Sequence, residues 1–129
     1  MIEILPSPSH VAAFHFSGTL DGDDYDRCIA DIESRLAQHQ RIGVFCDLTG
    51  FTGLTAQAMG KDLSYAFGKF GEYHRFARGA IITDKHWLAR ISEFSGRLFP
   101  HTEILAFDPH EREAALLWAS DVPADGLSA

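Results

Sequence analysis

The apolar residues follow two kinds of spacing along the 129 positions of the chain. Consecutive or alternating apolar residues predict β-strands at residues 2–5, 11–16, 42–48, 76–83 and 103–107. The first two runs are joined by a Pro/Ser turn, which favours an antiparallel pair of strands. The run at residues 42–48 is almost continuously apolar, as is typical of a strand buried on both faces of a sheet.

Between these strands, apolar residues recur every three or four positions, which predicts helices. The four predicted helices cover about residues 21–38, 55–73, 84–98 and 108–120. Acidic residues crowd the start of the first helix, and Thr55 and Asp84 are placed to cap the second and third. Asp108 followed by Pro109 is a clear start signal for the fourth.

The predicted order of elements, β-β-α-β-α-β-α-β-α, indicates an α/β fold. Strands that alternate with helices make right-handed crossovers, and these produce a mainly parallel sheet covered by helices. We therefore predict a single five-stranded mixed, mostly parallel sheet with four helices, whose first strand is antiparallel. No linker or repeat interrupts the chain, so we predict one domain over residues 1–120 and a C-terminal tail over residues 121–129.

The composition, with 46% hydrophobic and 22% charged residues, is that of a soluble globular protein. A net charge of −7 argues against a general affinity for nucleic acid or anionic membranes. Residues 61–97 nevertheless hold seven basic side chains against four acidic ones. This excess would suit an anionic ligand or an acidic partner surface, or it is scattered solvated charge.

The sequence also bears on where the protein works. No apolar run is long enough to span a bilayer, and the N-terminus lacks the pattern of a signal peptide. Cys28 and Cys46 each lie in a segment with the apolar periodicity of the core. We therefore expect a cytoplasmic protein without a membrane span, whose two thiols are reduced.

The chain contains no P-loop, no GxGxxG after a strand and no GxSxG nucleophile elbow. Its histidines and cysteines lack the spacing of zinc ligands, and the acids of residues 21–26 lack the glycine and glutamate of a calcium loop. The GxxG of residues 68–71, typical of KH domains, falls in an acidic chain with the wrong order of elements. We therefore predict a non-enzymatic protein with no cofactor, no metal and no nucleic-acid partner, and we assign no catalytic residues.

Two loops follow predicted parallel strands, at the sheet edge where α/β proteins meet their ligands and partners. The loop of residues 47–55 combines hydroxyls and glycines that lead into a helix N-terminus. It could bind an anion or carry a phosphorylated hydroxyl, or its threonines merely cap a tight turn. The second loop covers residues 83–87. The candidate binding or interaction residues are Asp47, Thr49, Phe51, Thr52, Thr55 and Lys85.

The stretches CDLTGFTGLT at residues 46–55, AIITDKHWL at 80–88 and EILAF…EREAALLWA at 103–119 carry a family resemblance. They resemble the small bacterial STAS-like proteins similar to stage II sporulation protein AA, which are grouped with STAS and CRAL-TRIO domains. The resemblance covers about residues 1–120. It implies a STAS-like domain of five strands and four helices, with the first strand antiparallel, in a non-enzymatic protein that is often a homodimer.

The resemblance also implies a way of working. Anti-sigma-factor antagonists of this type are switched by phosphorylation of a Ser or Thr in an Asp-Ser-Ser-Gly loop before the second helix. This chain departs from that pattern, because its loop holds Thr49, Thr52 and Thr55 and no Asp-Ser-Ser.

Two hypotheses for function follow. The first is a non-catalytic protein-interaction or regulatory module that contacts its partner through residues 47–55, the second helix and Lys85. The alternative, implied by the CRAL-TRIO likeness, is a carrier of a small apolar or amphipathic ligand between the second and third helices. The exposed faces of the aromatic second helix also predict a homodimer. The candidate walls of a ligand pocket are Met59, Phe67, Phe70 and Trp87.

Overall fold

The computed structural model describes residues 1–68, 74–84 and 102–122. The strands are β1 (Ile2–Ile4), β2 (Val11–Phe16), β3 (Gly18–Leu20), β4 (Ile42–Asp47), β5 (Phe51–Leu54), β6 (Phe76–Ile82) and β7 (Glu103–Phe107). The helices are α1 (Gly22–Gln38), α2 (Ala56–Gly68) and α3 (Arg112–Ser120), the last preceded by a 3-10 turn at Pro109–Glu111.

The main sheet has five strands in the order β1-β2-β4-β6-β7. Strand β1 is antiparallel to β2, and every later pair in this sheet is parallel. The α/β class, the mixed five-stranded sheet and the antiparallel first strand are thereby confirmed. Within the described ranges, no helix has the length and apolar character needed to cross a lipid bilayer.

The helix prediction holds only in part, because the described residues contain three α-helices instead of four. The predicted helix at residues 84–98 lies outside the described residues, except for its first residue, Asp84.

The acids at the start of the first helix do act as helix-start residues. Asp21 is the N-cap of α1: its Oδ1 accepts from the Asp24 amide at 2.9 Å, and its own amide donates to Asp24 Oδ2 at 3.1 Å.

A second, two-stranded sheet was not predicted from the sequence. Strands β3 and β5 pair in parallel beside the main sheet, although the pattern predicted only turns and loops at these residues. Gly18 and Gly50 have φ angles of +64° and +84°, which glycine adopts without steric cost. The Gly18 amide donates to the Gly50 carbonyl at 2.8 Å, so the two glycine turns hold the short strands side by side.

Helices cover both faces of the main sheet, as expected for parallel strands. Helices α1 and α2 pack on one face, and α3 packs on the other, over β4 and β6. Successive residues of a strand point to opposite faces, so each strand contributes to two core clusters. The buried residues of the α1 face are Ile2, Ala12, Phe14, Cys28, Ile32, Leu36 and Ile42. Those of the α3 face are Ala13, Phe45, Ala80, Ile82, Ala115 and Ala119.

The two thiols belong to the core on the α1 face. Cys28 on α1 is buried, Cys46 on β4 is half-buried, and both are free. Burial raises the pKa of Cys46 to about 12, with a smaller effect from the neighbouring Asp47 carboxylate. Burial likewise raises the pKa of Cys28. Both thiols are therefore protonated at neutral pH and pack as small apolar side chains.

Helix α3 approaches the sheet closely at Gly43. A Cβ atom added at Gly43 would lie 2.0 Å from the carbonyl oxygen of Ala119, a backbone atom that cannot rotate away. The absence of a side chain at this position therefore lets the C-terminal turn of α3 rest directly on β4. The strand residues on the same face further along are Phe45 and Asp47.

Replacing Gly43 by alanine should lower the free energy of unfolding by about 1–3 kcal/mol, because the new methyl group overpacks the contact between α3 and β4. Urea unfolding followed by circular dichroism measures this change. G79A is the matched control in the neighbouring strand β6. Its Cβ would meet Ile104 Cγ1 at 3.7 Å, an ordinary contact, so stability should hold or rise slightly. Equal loss in both variants would contradict the close approach at Gly43.

Candidate functional site

The carboxyl ends of the parallel strands lie together at one edge of the main sheet, hereafter the carboxyl edge. Asp47 is the last residue of β4, and its register partners are His15 on β2 and Ile82 on β6. The predicted binding loop of residues 47–55 therefore begins at the centre of this edge. This is the place in an open α/β sheet where functional loops are expected.

Asp47 is a heavily hydrogen-bonded side chain at this edge. It lies on the same face as Gly43 and Phe45 and points towards the first turn of α3. The residue is only 5% exposed. Its Oδ2 accepts from Arg112 Nε at 2.6 Å, and its Oδ1 accepts from the Thr49 amide at 3.0 Å and the Thr49 hydroxyl at 2.6 Å. The buried carboxylate thus has hydrogen-bond partners on both oxygens.

These partners decide the protonation state of Asp47. Burial acts to raise the pKa of the carboxyl, since it disfavours the charged form. The hydrogen bonds from Arg112 and Thr49, together with the charge of Arg112, outweigh burial and hold the pKa of Asp47 below its ordinary value of 3.8. Asp47 is therefore a carboxylate at neutral pH and is not tuned to transfer protons there.

The loop after Asp47 is tied to its surroundings at several points. The Arg112 guanidinium also donates, through Nη2, to the Thr49 hydroxyl at 3.0 Å, and His15 Nε2 donates to the Thr49 carbonyl at 3.1 Å. The Phe51 amide donates to the Leu48 carbonyl at 3.1 Å and closes a tight turn. These bonds give the loop a defined conformation before any partner binds.

The three candidate threonines differ in how their hydroxyls are used. The Thr49 hydroxyl lies between Asp47 and Arg112. The Thr55 hydroxyl accepts from the Ala58 amide at 3.1 Å and caps α2, as predicted. Thr52 on β5 is exposed, and its hydroxyl lies 3.1 Å from that of Thr19. Thr52 is thus the candidate hydroxyl that faces solvent.

The remaining predicted residues divide between the described and undescribed parts of the chain. Phe51 is half-buried in β5, and Met59 is 53% exposed on α2. Phe67 lies within α2. Lys85, Phe70 and Trp87 lie outside the described residues, as does the predicted third helix that would border a ligand pocket.

The basic excess of residues 61–97 was one further candidate feature. Of its described members, Lys61 pairs with Asp26 at 2.8 Å and Arg78 pairs with Glu103 at 3.3 Å. Arg75 donates to the carbonyls of residues 36, 39 and 40 at the end of α1. These three cations therefore serve the fold; the other four lie outside the described residues.

One group of side chains has the composition of a metal site. The ligand atoms of Asp108, His110 and Glu111 lie within 4.8 Å of one another at the protein surface. The Asp108 amide donates to Glu111 Oε1 at 3.0 Å, so the group forms the start of the 3-10 turn before α3. The arrangement is explained by helix capping and gives no reason to place an ion there.

Sequence reasoning missed Arg112 and His15, which help to hold the loop. Arg112 opens α3, although the first turn of a helix disfavours cations because of the helix dipole. A basic residue at such a position is a signal that it pairs with a carboxylate elsewhere. Its partner Asp47 lies 65 positions earlier, so no local pattern could identify it.

Comparison with known proteins shows the family of this chain. The sequence model of the SpoIIAA-like family matches residues 11–120. The chain belongs to the SpoIIAA-like family. The family segment runs from β2 to the end of α3 and so includes both Asp47 and Arg112. A search of curated proteins finds no match.

Two solved structures share the SpoIIAA-like fold. One is an uncharacterised protein of the DUF3478 family from Shewanella loihica PV-4, 27% identical, with a TM-score of 0.69 and 92% of each chain covered. The other is the anti-sigma factor antagonist SpoIIAA in its unphosphorylated form, which is 12% identical with a TM-score of 0.56. That match covers 88% of this chain and 94% of SpoIIAA, and at this identity it shows the fold alone.

Replacing Asp47 by asparagine should lower the free energy of unfolding at pH 7 by about 1–3 kcal/mol, since it weakens the charge-assisted bonds to Arg112 and Thr49. The lowered pKa of Asp47 means that its contribution is complete above pH 4, roughly the unfolded pKa, and is lost as the pH falls through the folded pKa. The difference in unfolding free energy between wild type and D47N should therefore become smaller as the pH falls. Denaturant titrations between about pH 2 and 7 measure this difference.

E113Q is the control for D47N, because Glu113 is an exposed carboxylate in the first turn of the same helix. Its effect on stability should stay within about 0.5 kcal/mol. A D47N variant as stable as E113Q at pH 7 would contradict the structural role of the buried carboxylate.

Proposed function

We propose that the protein is a non-catalytic, regulatory SpoIIAA-like module that works in the cytoplasm by binding another protein at the carboxyl edge. The contact surface consists of residues 47–55 and the start of α2. The observation that carries the proposal is the preformed loop, which is held from within by Asp47 and displays Thr52 to solvent.

A preformed loop favours protein recognition, because little conformational entropy is lost when it binds. The Asp47 carboxylate is already occupied by Arg112 and Thr49, and the His15 ring is bonded to the Thr49 carbonyl. Asp47 and His15 therefore act on the loop itself. Their arrangement supports a binding surface over an active site.

Family membership supports a regulatory role in general terms. The structural neighbour SpoIIAA is described as an anti-sigma factor antagonist, which is a protein that acts on another protein. Lys85 as a contact, the homodimer, the division of the chain at residue 120 and the small-ligand alternative stay predictions. Among the described residues, no observation favours the ligand carrier over the interaction module.

Replacing Thr52 by arginine should weaken partner binding by about tenfold or more, because a long charged side chain would stand on the proposed contact surface. The fold should survive, since Thr52 is exposed. The measurement is quantitative co-purification of partners with the tagged protein, expressed at its native level in its own host, followed by the affinity of the purified pair.

Q38R is the matched control for T52R. Gln38 is also exposed, and it ends α1 at the opposite edge of the sheet. The same side chain added there should leave binding unchanged. The proposal fails if T52R and Q38R retain the partner equally, or if wild type and both variants recover no specific partner.

A further inference from the structure

A groove runs between α1 and α2 on the outer surface of the helix layer, away from the sheet. It has a volume of about 550 Å³ and a mostly apolar lining. Lys61 of α2 reaches across to Asp26 of α1, and the Tyr65 hydroxyl donates to Glu33 Oε2 at 3.3 Å. The residues that line the groove are Ile29, Gln57, Gly60, Lys61, Ser64 and Tyr65.

The two helices that form the groove are also joined by Tyr25 and Asp62. Helices α1 and α2 both run away from the carboxyl edge, and the Tyr25 hydroxyl donates to the Asp62 carboxylate between them. Burial, followed by this hydrogen bond, raises the pKa of Tyr25, so the phenol keeps its proton. The groove is therefore a stable feature of the packed helix pair.

Gly60 leaves a gap in the groove that none of the described residues fills. Glycine is a poor residue for a helix interior, and close packing is its usual justification. Across residues 1–68, 74–84 and 102–122, a Cβ built at Gly60 meets no atom of another element within 4 Å. The same test at Gly43 shows a clash with α3, so Gly43 is needed for close packing whereas Gly60 is not. The open space at Gly60 would allow the backbone of another molecule to approach closely.

The surface around the groove is acidic. Asp26 and Glu33 of α1 bond to the groove residues Lys61 and Tyr65, and Asp62 of α2 accepts from Tyr25 between the helices. Against these three carboxylates, the described lining of the groove contains a single cation, Lys61. Such a field favours a positively charged occupant and repels an acidic one.

The shape of the groove selects the kind of occupant. Pockets for small molecules enclose most of the surface of their ligand, whereas this groove is open to solvent along its length. An open apolar groove between two helices, flanked by charge, is the geometry that accepts an amphipathic helix. We infer that the α1–α2 groove is a second interaction surface, which binds a basic amphipathic helix of a protein partner. The apolar face of that helix lies on Ile29 and over Gly60, and its Lys or Arg side chains face the carboxylates of α1.

The test uses a surface-displayed library of helical peptides of about 18 residues, with acidic and basic members in equal number. The peptides are panned against the complete protein, and enriched sequences are titrated by fluorescence anisotropy. The inference expects basic peptides to be enriched. It also expects their affinity to fall with added salt, because the attraction is electrostatic.

Two variants locate the binding. G60L fills the groove and should lower the affinity of the enriched peptides by about tenfold or more. Thermal unfolding should show that this variant is at least as stable as wild type, because leucine is a better helix former than glycine. E33K reverses one charge beside the groove and should also lower the affinity of the enriched peptides. E113K makes the same change on α3, across the sheet, and should leave affinity within about twofold of wild type.

Three outcomes would overturn the inference: enriched peptides no more basic than the library, equal affinity for wild type and G60L, or no binding peptide at all. A dimer that G60L converts to a monomer, measured by light scattering, would also overturn it, since the occupant would then be a second copy of the chain. T52R should leave peptide affinity unchanged. The two proposed surfaces therefore succeed or fail separately.

Discussion

The buried carboxylate of Asp47 is the interaction on which the candidate site depends. It lies at the end of the central strand, and it joins β4 and the loop that follows to the start of α3, which is distant in sequence. A buried carboxylate without partners would be strongly destabilising. Arg112 and Thr49 supply those partners, so the position of α3 on the sheet and the conformation of the loop are set together.

The α3 face shows how a two-residue period along one strand produces this arrangement. Gly43 allows the C-terminal turn of α3 to touch the strand, and Asp47 pairs with Arg112 at the N-terminal turn of the same helix. Phe45 lies between them in the core. Helix α3 is thus held at both ends by residues on one face of β4, and apolar contacts fill the middle.

The general fold could be predicted because it rests on local periodicity. The five strands of the main sheet, the antiparallel first strand, the acids at the start of α1 and the capping role of Thr55 follow from residue patterns within a few positions of each element. The pairing of β3 with β5 could not, because it depends on the positive φ angles of Gly18 and Gly50 and on a contact between distant segments.

The sequence predicted where the candidate residues lie on the sheet, but it did not predict how their side chains bond to one another. The strand-end rule placed Asp47 and the threonines at the carboxyl edge, where the structure has them. It could not show that Asp47 and Thr49 hold the loop while Thr52 faces solvent. That arrangement depends on Arg112, which lies 63 positions after Thr49 in the sequence. The groove could not be predicted from the sequence either, because only the packed helix pair shows that the space beside Gly60 is open among the described residues.

The central claim is that Asp47 and Arg112 keep the loop in one conformation, and amide hydrogen exchange in an R112Q variant tests it most directly. The amides of Thr49, Phe51 and Gly18 are bonded within or to the loop, whereas Ala80 lies in the core of β6. We expect R112Q to speed exchange at the three loop amides by about tenfold or more and to leave Ala80 protected. Unchanged protection of the loop in a folded R112Q protein would contradict the account.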